Sequence, residues 1–143
     1  MKYMLDTNIC IYLIQRRPAN VLQRLSEQLE GDAVMSVITY AELRAGLERL
    51  PEEPRSRDEQ VLERLIERIP VLDFNGASAR QYGVLRAAVP DRRRDALDRL
   101  IAAHAVSVGS TLVTNNEADF AGYPGLVVEN WANRSSTATL PSP

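Results

Sequence analysis

Tyr3-Met4-Leu5-Asp6-Thr7-Asn8-Ile9-Cys10-Ile11 changes character twice within nine residues. Three apolar residues stop at an acid, a hydroxyl and an amide, and a second apolar run with a different period begins at Ile9. A short buried strand that ends in a polar turn and passes into a helix accounts for this pattern, because Asp, Thr and Asn side chains accept hydrogen bonds from the first amides of a helix.

The alternation continues along the chain. Short apolar runs at 3–5, 33–38, 71–74, 111–114 and 127–129 read as buried strands, and apolar residues spaced by three and four predict helices over 9–15, 19–29, 40–50, 59–69, 77–88 and 95–109. Strands alternating with helices imply an α/β fold built on a parallel sheet covered on both faces. Over 40–69 two helices follow one another without a strand. The interruption at Pro51-Glu52-Glu53-Pro54 predicts a helical hairpin there, projecting from the sheet.

With 143 residues, 45% of them hydrophobic and 25% charged, the chain suits one globular domain over 1–132. The Ser-, Thr- and Pro-rich tail over 133–143 has little to bury and is expected to be disordered. No apolar run approaches the roughly 18 residues of a membrane span, and no secretory leader is evident, so the expected location is the cytoplasm. Cys10 is the only cysteine, which excludes an internal disulfide and suits a buried small hydrophobe.

Charge composition narrows the chemistry. Of 17 basic residues only Lys2 is lysine, and there is no phosphate-binding Gly-Lys-Ser/Thr loop, so P-loop and Schiff-base chemistry are excluded. A single histidine, His104, excludes a two-histidine ribonuclease mechanism. Carboxylates remain in quantity.

Four of them stand out. Asp6 ends the first expected strand, and ligands of open parallel sheets gather at the carboxyl ends of strands; capping the next helix explains the residue equally well. Thr114, Asn115 and Asp119 lie beyond a second strand that would run beside the first, although an Asn-rich turn explains them too. Asp98 shares a helix face with Ile101, Ala102 and Ala105, which turns it inward near a positive helix terminus. His104 lies about 120° around that helix from Asp98 and reads as structural. Thr39 and Glu42 have capping-box spacing, and capping is the preferred explanation for Glu42 on pattern alone.

Taken in order, five motifs carry a resemblance. Met4-Leu5-Asp6-Thr7-Asn8, Glu42-Leu43 with Gly46, Asp98 ahead of Leu100-Ile101-Ala102-Ala103-His104-Ala105, Val113-Thr114-Asn115-Asn116 with Asp119-Phe120, and Pro124-Gly125-Leu126 with Glu129-Asn130-Trp131 resemble the PIN-domain toxins of the VapC family. The resemblance implies a PIN-like fold with a central parallel sheet, flanking helices and a protruding helical hairpin. It also implies a Mg²⁺- or Mn²⁺-dependent endoribonuclease, the toxin of a type II toxin-antitoxin system, acting as a homodimer and inhibited by a VapB-type antitoxin. On this resemblance Asp6, Glu42, Asp98 and Asp119 are the catalytic metal-site acids, with Thr7 and Asn115 as supporting polar residues. The chain departs from the family just before Asp98, where Asp91-Arg92-Arg93-Arg94-Asp95-Ala96-Leu97 lacks the usual glycine.

Elementary chemistry agrees. Converging carboxylates repel one another, and a hard divalent ion relieves that repulsion while activating water and neutralising charge on a phosphoryl transition state. Arg92, Arg93, Arg94 and Arg99 are candidate contacts for RNA phosphates, although a solvated charge run explains them as well. Two alternatives compete. A haloacid-dehalogenase-type phosphotransferase would use Asp6 as nucleophile but needs an acid where Asn8 stands and a lysine in the interior. A catalytically silent PIN-like RNA-binding module would not need all four acids. Apolar stripes at Leu43, Leu47 and Leu50 and at Val61, Leu62, Leu65 and Ile69 predict a hairpin surface for a second copy and an antitoxin.

Overall fold

Backbone hydrogen bonding groups five short parallel strands into one sheet in the order β3-β2-β1-β4-β5. The computed structural model describes residues 2–90 and 95–132; Arg92, Arg93, Arg94 and the tail expected over 133–143 lie outside the described residues. The elements are β1 (Tyr3–Leu5), α1 (Thr7–Gln15), α2 (Ala19–Ser26), β2 (Ala33–Ser36), α3 (Val37–Glu48), α4 (Glu52–Arg68), β3 (Val71–Leu72), α5 (Gly76–Ala88), α6 (Ala96–Val108), β4 (Thr111–Val113), a 3-10 turn (Glu117–Phe120) and β5 (Val128–Glu129). Central β1 pairs with β2 through Tyr3 and Ala33 and with β4 through Leu5 and Val113. Asp6 and Thr114 therefore emerge side by side, and the Asp6 amide donates to Val113 O at 2.9 Å.

Strand side chains alternate between two cores. Tyr3, Leu5, Met35 and Val113 face α1, α3 and α4, where they meet Ile9, Leu13, Leu47 and Leu62. Met4, Val34 and Leu112 face α5 and α6, where they meet Leu85, Ile101 and Ala103. Fully burying each large aliphatic side chain contributes about 1.5–3 kcal/mol, so these positions hold the sheet between its helices. Trp131 closes the first core edge-on against Tyr3, with ring centroids 5.2 Å apart. His104 is buried as a structural residue: its Nδ1 lies 2.7 Å from Ser36 Oγ, and burial lowers its pKa.

Most element boundaries shift by a few residues from the sequence expectation, and two of the shifts have a clear local cause. The run expected as strand over 33–38 stops at Ser36, whose hydroxyl accepts from the Ile38 amide at 3.0 Å and starts α3 at once. Pro54 does not break the second hairpin helix. It is the third residue of α4, where an amide would lack an intrahelical partner anyway, and Glu52 and Glu53 suit the positive terminus. The hairpin of α3 and α4 is tied across by Arg44 and Glu59 at 2.9 Å. Its apolar stripes are largely spent on the fold, since Leu43, Leu47, Leu62 and Ile69 are buried. Among the described residues no helix is long and apolar enough to cross a membrane.

Candidate active site

At the carboxyl ends of β1 and β4 a cleft of about 190 Å³ opens, lined by Asp6, Thr7, Asn8, Glu42, Asp95, Asp98, Asn116 and Phe120. Three of the four acids expected from the sequence therefore share one cavity, and among its described residues there is no basic side chain.

Asp6 caps a helix and also lines the cleft. Its Oδ1 accepts from the Ile9 amide at 3.0 Å and caps α1, yet the carboxylate also lines the cleft while only 5% exposed. Burial lifts its pKa from 3.8 to about 6, hydrogen bonds from Thr114 and Ile9 oppose the rise, and the Glu42 charge adds to it. Thr114 is fully buried and also accepts from the Asn116 amide at 3.0 Å, so one hydroxyl ties β4 to the acid on β1.

Glu42 is not a capping residue. Because α3 begins at Val37 under Ser36, Glu42 is six residues past the cap and out of its reach. Instead it accepts a hydrogen bond from the Thr7 hydroxyl, which lies 3.4 Å from the Thr39 hydroxyl. Thr7 thus joins the junction after β1 to α3.

Asp98 sits in the first turn of α6. Its pKa rises from 3.8 to about 7, first through burial and then through the charges of Asp95, Asp6, Glu42 and Asp119. Asp119 stands exposed on the 3-10 turn, outside the cleft lining but near enough for its charge to act on Asp98. Asn115 lies outside the lining as well, and its amide donates to the Tyr12 hydroxyl at 2.6 Å.

The expectation that Arg99 faces RNA is corrected. Its side chain is 2% exposed, with Nε 3.3 Å from Tyr123 Oη and Nη2 3.4 Å from Val89 O. It braces the interior, on the same helical face as Ala102 and Ala103. Asn8, Asp95 and Asn116 line the cleft without having been singled out. Each follows or starts an element at the sheet's carboxyl end, a position marked in sequence by a polar residue after an apolar run or ahead of a helix.

The donor set suits a hard divalent ion in chemistry: several carboxylate oxygens, no cation among the described lining residues, and two acids whose proton affinity is raised by burial and mutual repulsion. No three His, Cys, Asp or Glu side chains among the described residues are spaced to ligate one ion directly. Mg²⁺ keeps several of its waters and commonly takes only one or two carboxylates, so this spacing is compatible with it.

The PIN domain family matches residues 3–126. The chain is 39% identical to the tRNA(fMet)-specific endonuclease VapC of Shigella flexneri, over 92% of this chain and 99% of that one. Ribonuclease VapC2 of Haemophilus influenzae is also 39% identical, over 92% and 98% of the two chains. Among solved structures, the DNA-bound VapBC complex of Salmonella typhimurium superposes with a TM-score of 0.83 at 34% identity, covering 92% of this chain and 98% of that one. VapBC2 of Rickettsia felis, bound to a promoter DNA fragment, gives a TM-score of 0.82 at 33% identity over 92% and 99%. A fold, an acid-lined cleft and near full-length likeness thus converge: the chain belongs to the PIN-domain family, among its VapC ribonucleases.

Proposed function

We propose that this protein is the toxin of a type II toxin-antitoxin pair, an endoribonuclease that hydrolyses RNA phosphodiester bonds with the help of Mg²⁺ or Mn²⁺. The observation that carries the metal dependence is the convergence of Asp6, Glu42 and Asp98 on one cleft free of basic side chains among the described residues. Asp6 and Asp98 would hold the ion, with Glu42 beside them and Asp119 acting from outside the lining.

When bound, the ion supplies Lewis acidity, acidifying water and neutralising charge that gathers on the phosphate. The chain's own residues supply alignment. Thr114 and the Ile9 amide fix the direction of Asp6, and Thr7 holds Glu42 toward the same space. Phe120 closes one wall of the cleft.

A larger groove of about 540 Å³ adjoins the cleft through Thr7, Asn8 and Glu42 and runs between α1, α3 and α4 past Ile11, Leu43 and Leu47. This apolar floor supports docking of an amphipathic VapB-type antitoxin segment, and an arginine on that segment would pair with the acids. Homodimer formation is assigned to the hairpin of α3 and α4, where Leu50, Val61 and Leu65 remain partly exposed. Cytoplasmic RNA is the substrate on this reading.

Purified protein should cleave a single-stranded RNA in Mg²⁺ or Mn²⁺, stop in excess EDTA, and leave small phosphate monoesters intact. Undiminished RNA cleavage in EDTA overturns the metal dependence. Turnover of monoesters without RNA cleavage favours the phosphotransferase alternative, and RNA binding without cleavage the silent module.

A further inference from the structure

We infer that Asp95 is a positioning residue for Asp98, holding that acid in the cleft by gripping the start of α6. This rests on the divalent-ion reading of the cleft.

Asp95 is the N-cap of α6, and its Oδ1 accepts from the Leu97 amide at 2.7 Å and from the amide of Asp98 itself at 3.4 Å. It also lines the same cleft as Asp98. Among the described residues nothing donates a hydrogen bond to the Asp98 carboxylate. Its direction is therefore set by the backbone of the first helical turn, the part of a helix that frays most readily.

Asp6 is differently placed. Its amide is fixed to Val113 O in the sheet, and its side chain is held by Ile9 and Thr114. Glu42 sits in the middle of α3 and is held by Thr7. Of these three acids, only Asp98 stands on an end turn with no side-chain tether among the described residues. Repulsion from Asp6, from Glu42 and from the Asp95 charge itself pushes that turn outward, and the hydrogen bonds of the Asp95 cap oppose the push.

A cap acts through an oxygen acceptor and not through net charge, so Asn or Ser at this position retains it whereas Ala does not. The neighbouring helix provides a matched control. Asn75 caps α5 through the Ser78 amide at 3.1 Å, and α5 packs beside α6 away from the cleft lining.

The experiment measures Mn²⁺ affinity of the folded full chain by electron paramagnetic resonance, alongside melting temperature, for wild type, Asp95→Ala, Asp95→Asn, Asp95→Ser and Asn75→Ala. Asp95→Ala should bind Mn²⁺ about 10-fold more weakly, the scale seen when a group that orients a metal ligand is removed. Asp95→Asn and Asp95→Ser should stay within about 3-fold of wild type. Asn75→Ala should melt as low as Asp95→Ala while keeping wild-type affinity. Equal affinity of Asp95→Ala and wild type, equal loss in Asp95→Asn and Asp95→Ala, or equal loss in Asn75→Ala each overturns the inference. Wild type that binds no Mn²⁺ overturns the metal reading itself, and this inference with it.

Discussion

Replacing Asp6 with asparagine should stabilise the metal-free protein while removing activity. In the folded chain the Asp6 pKa stands at about 6 against an ordinary 3.8, chiefly because the carboxylate is buried. The folded state therefore binds the proton more tightly than the unfolded chain, and stability falls as pH rises through this interval. At 1.36 kcal/mol per decade of proton affinity, the ionised group costs about 3 kcal/mol at pH 8, about half that at pH 5, and less than about 1 kcal/mol at pH 4. The introduced asparagine would still accept from the Ile9 amide, so the cap survives. A domain of this size gains about 2–4 °C per kcal/mol, so in EDTA at pH 8 the Asp6→Asn variant should melt on the order of 5–10 °C above wild type. The gap should close toward pH 4, and Mg²⁺ should narrow it at pH 8 by stabilising wild type alone. Thermal melts by circular dichroism read all of this. A variant that melts at or below wild type in EDTA at pH 8, or a gap that is flat with pH, would mean that the buried Asp6 charge does not destabilise the metal-free fold.

Glu42→Gln keeps an acceptor for the Thr7 hydroxyl but is a poor ligand for a hard cation, so RNA cleavage should fall by about 100-fold with an unchanged melting temperature; full activity would leave Glu42 a structural role only. Arg99→Ala should lower stability by about 2 kcal/mol through lost packing and hydrogen bonds, and denaturant titration that finds no change would return Arg99 to the surface. Ala45 is exposed and lines the apolar groove, so Ala45→Glu should abolish binding of a coexpressed antitoxin on size-exclusion chromatography without altering cleavage. Intact complex formation by Ala45→Glu would move the antitoxin off the groove.

Much of the site was legible because Asp6, Thr114 and Asp98 each sit where a short apolar run or an apolar helix face meets a polar residue. Element boundaries were less so. A strand-like run continues past Ser36 in composition, but the Ser36 hydroxyl captures the Ile38 amide and turns the chain into α3. That early helix start removed the capping explanation for Glu42 and made it a partner of Thr7. Pro54 reads as a breaker in sequence, yet a proline in the first turn gives up no intrahelical bond. Arg99 stands near the arginine run in sequence, whereas its spacing from Ala102 and Ala103 puts it on the buried face of α6. The role of Asp95 depends on which of its oxygens meets which amide, and no sequence pattern carries that.

On the proposed function, Asp6 and its neighbouring acids make this chain a metal-dependent ribonuclease. Mapping of new 5′ ends in total cellular RNA tests it most directly, with wild type and Asp6→Asn each incubated in Mg²⁺ and in EDTA. Wild type in Mg²⁺ should produce discrete new ends that are absent from the other three reactions. The same ends produced by Asp6→Asn, or by wild type in EDTA, would contradict it.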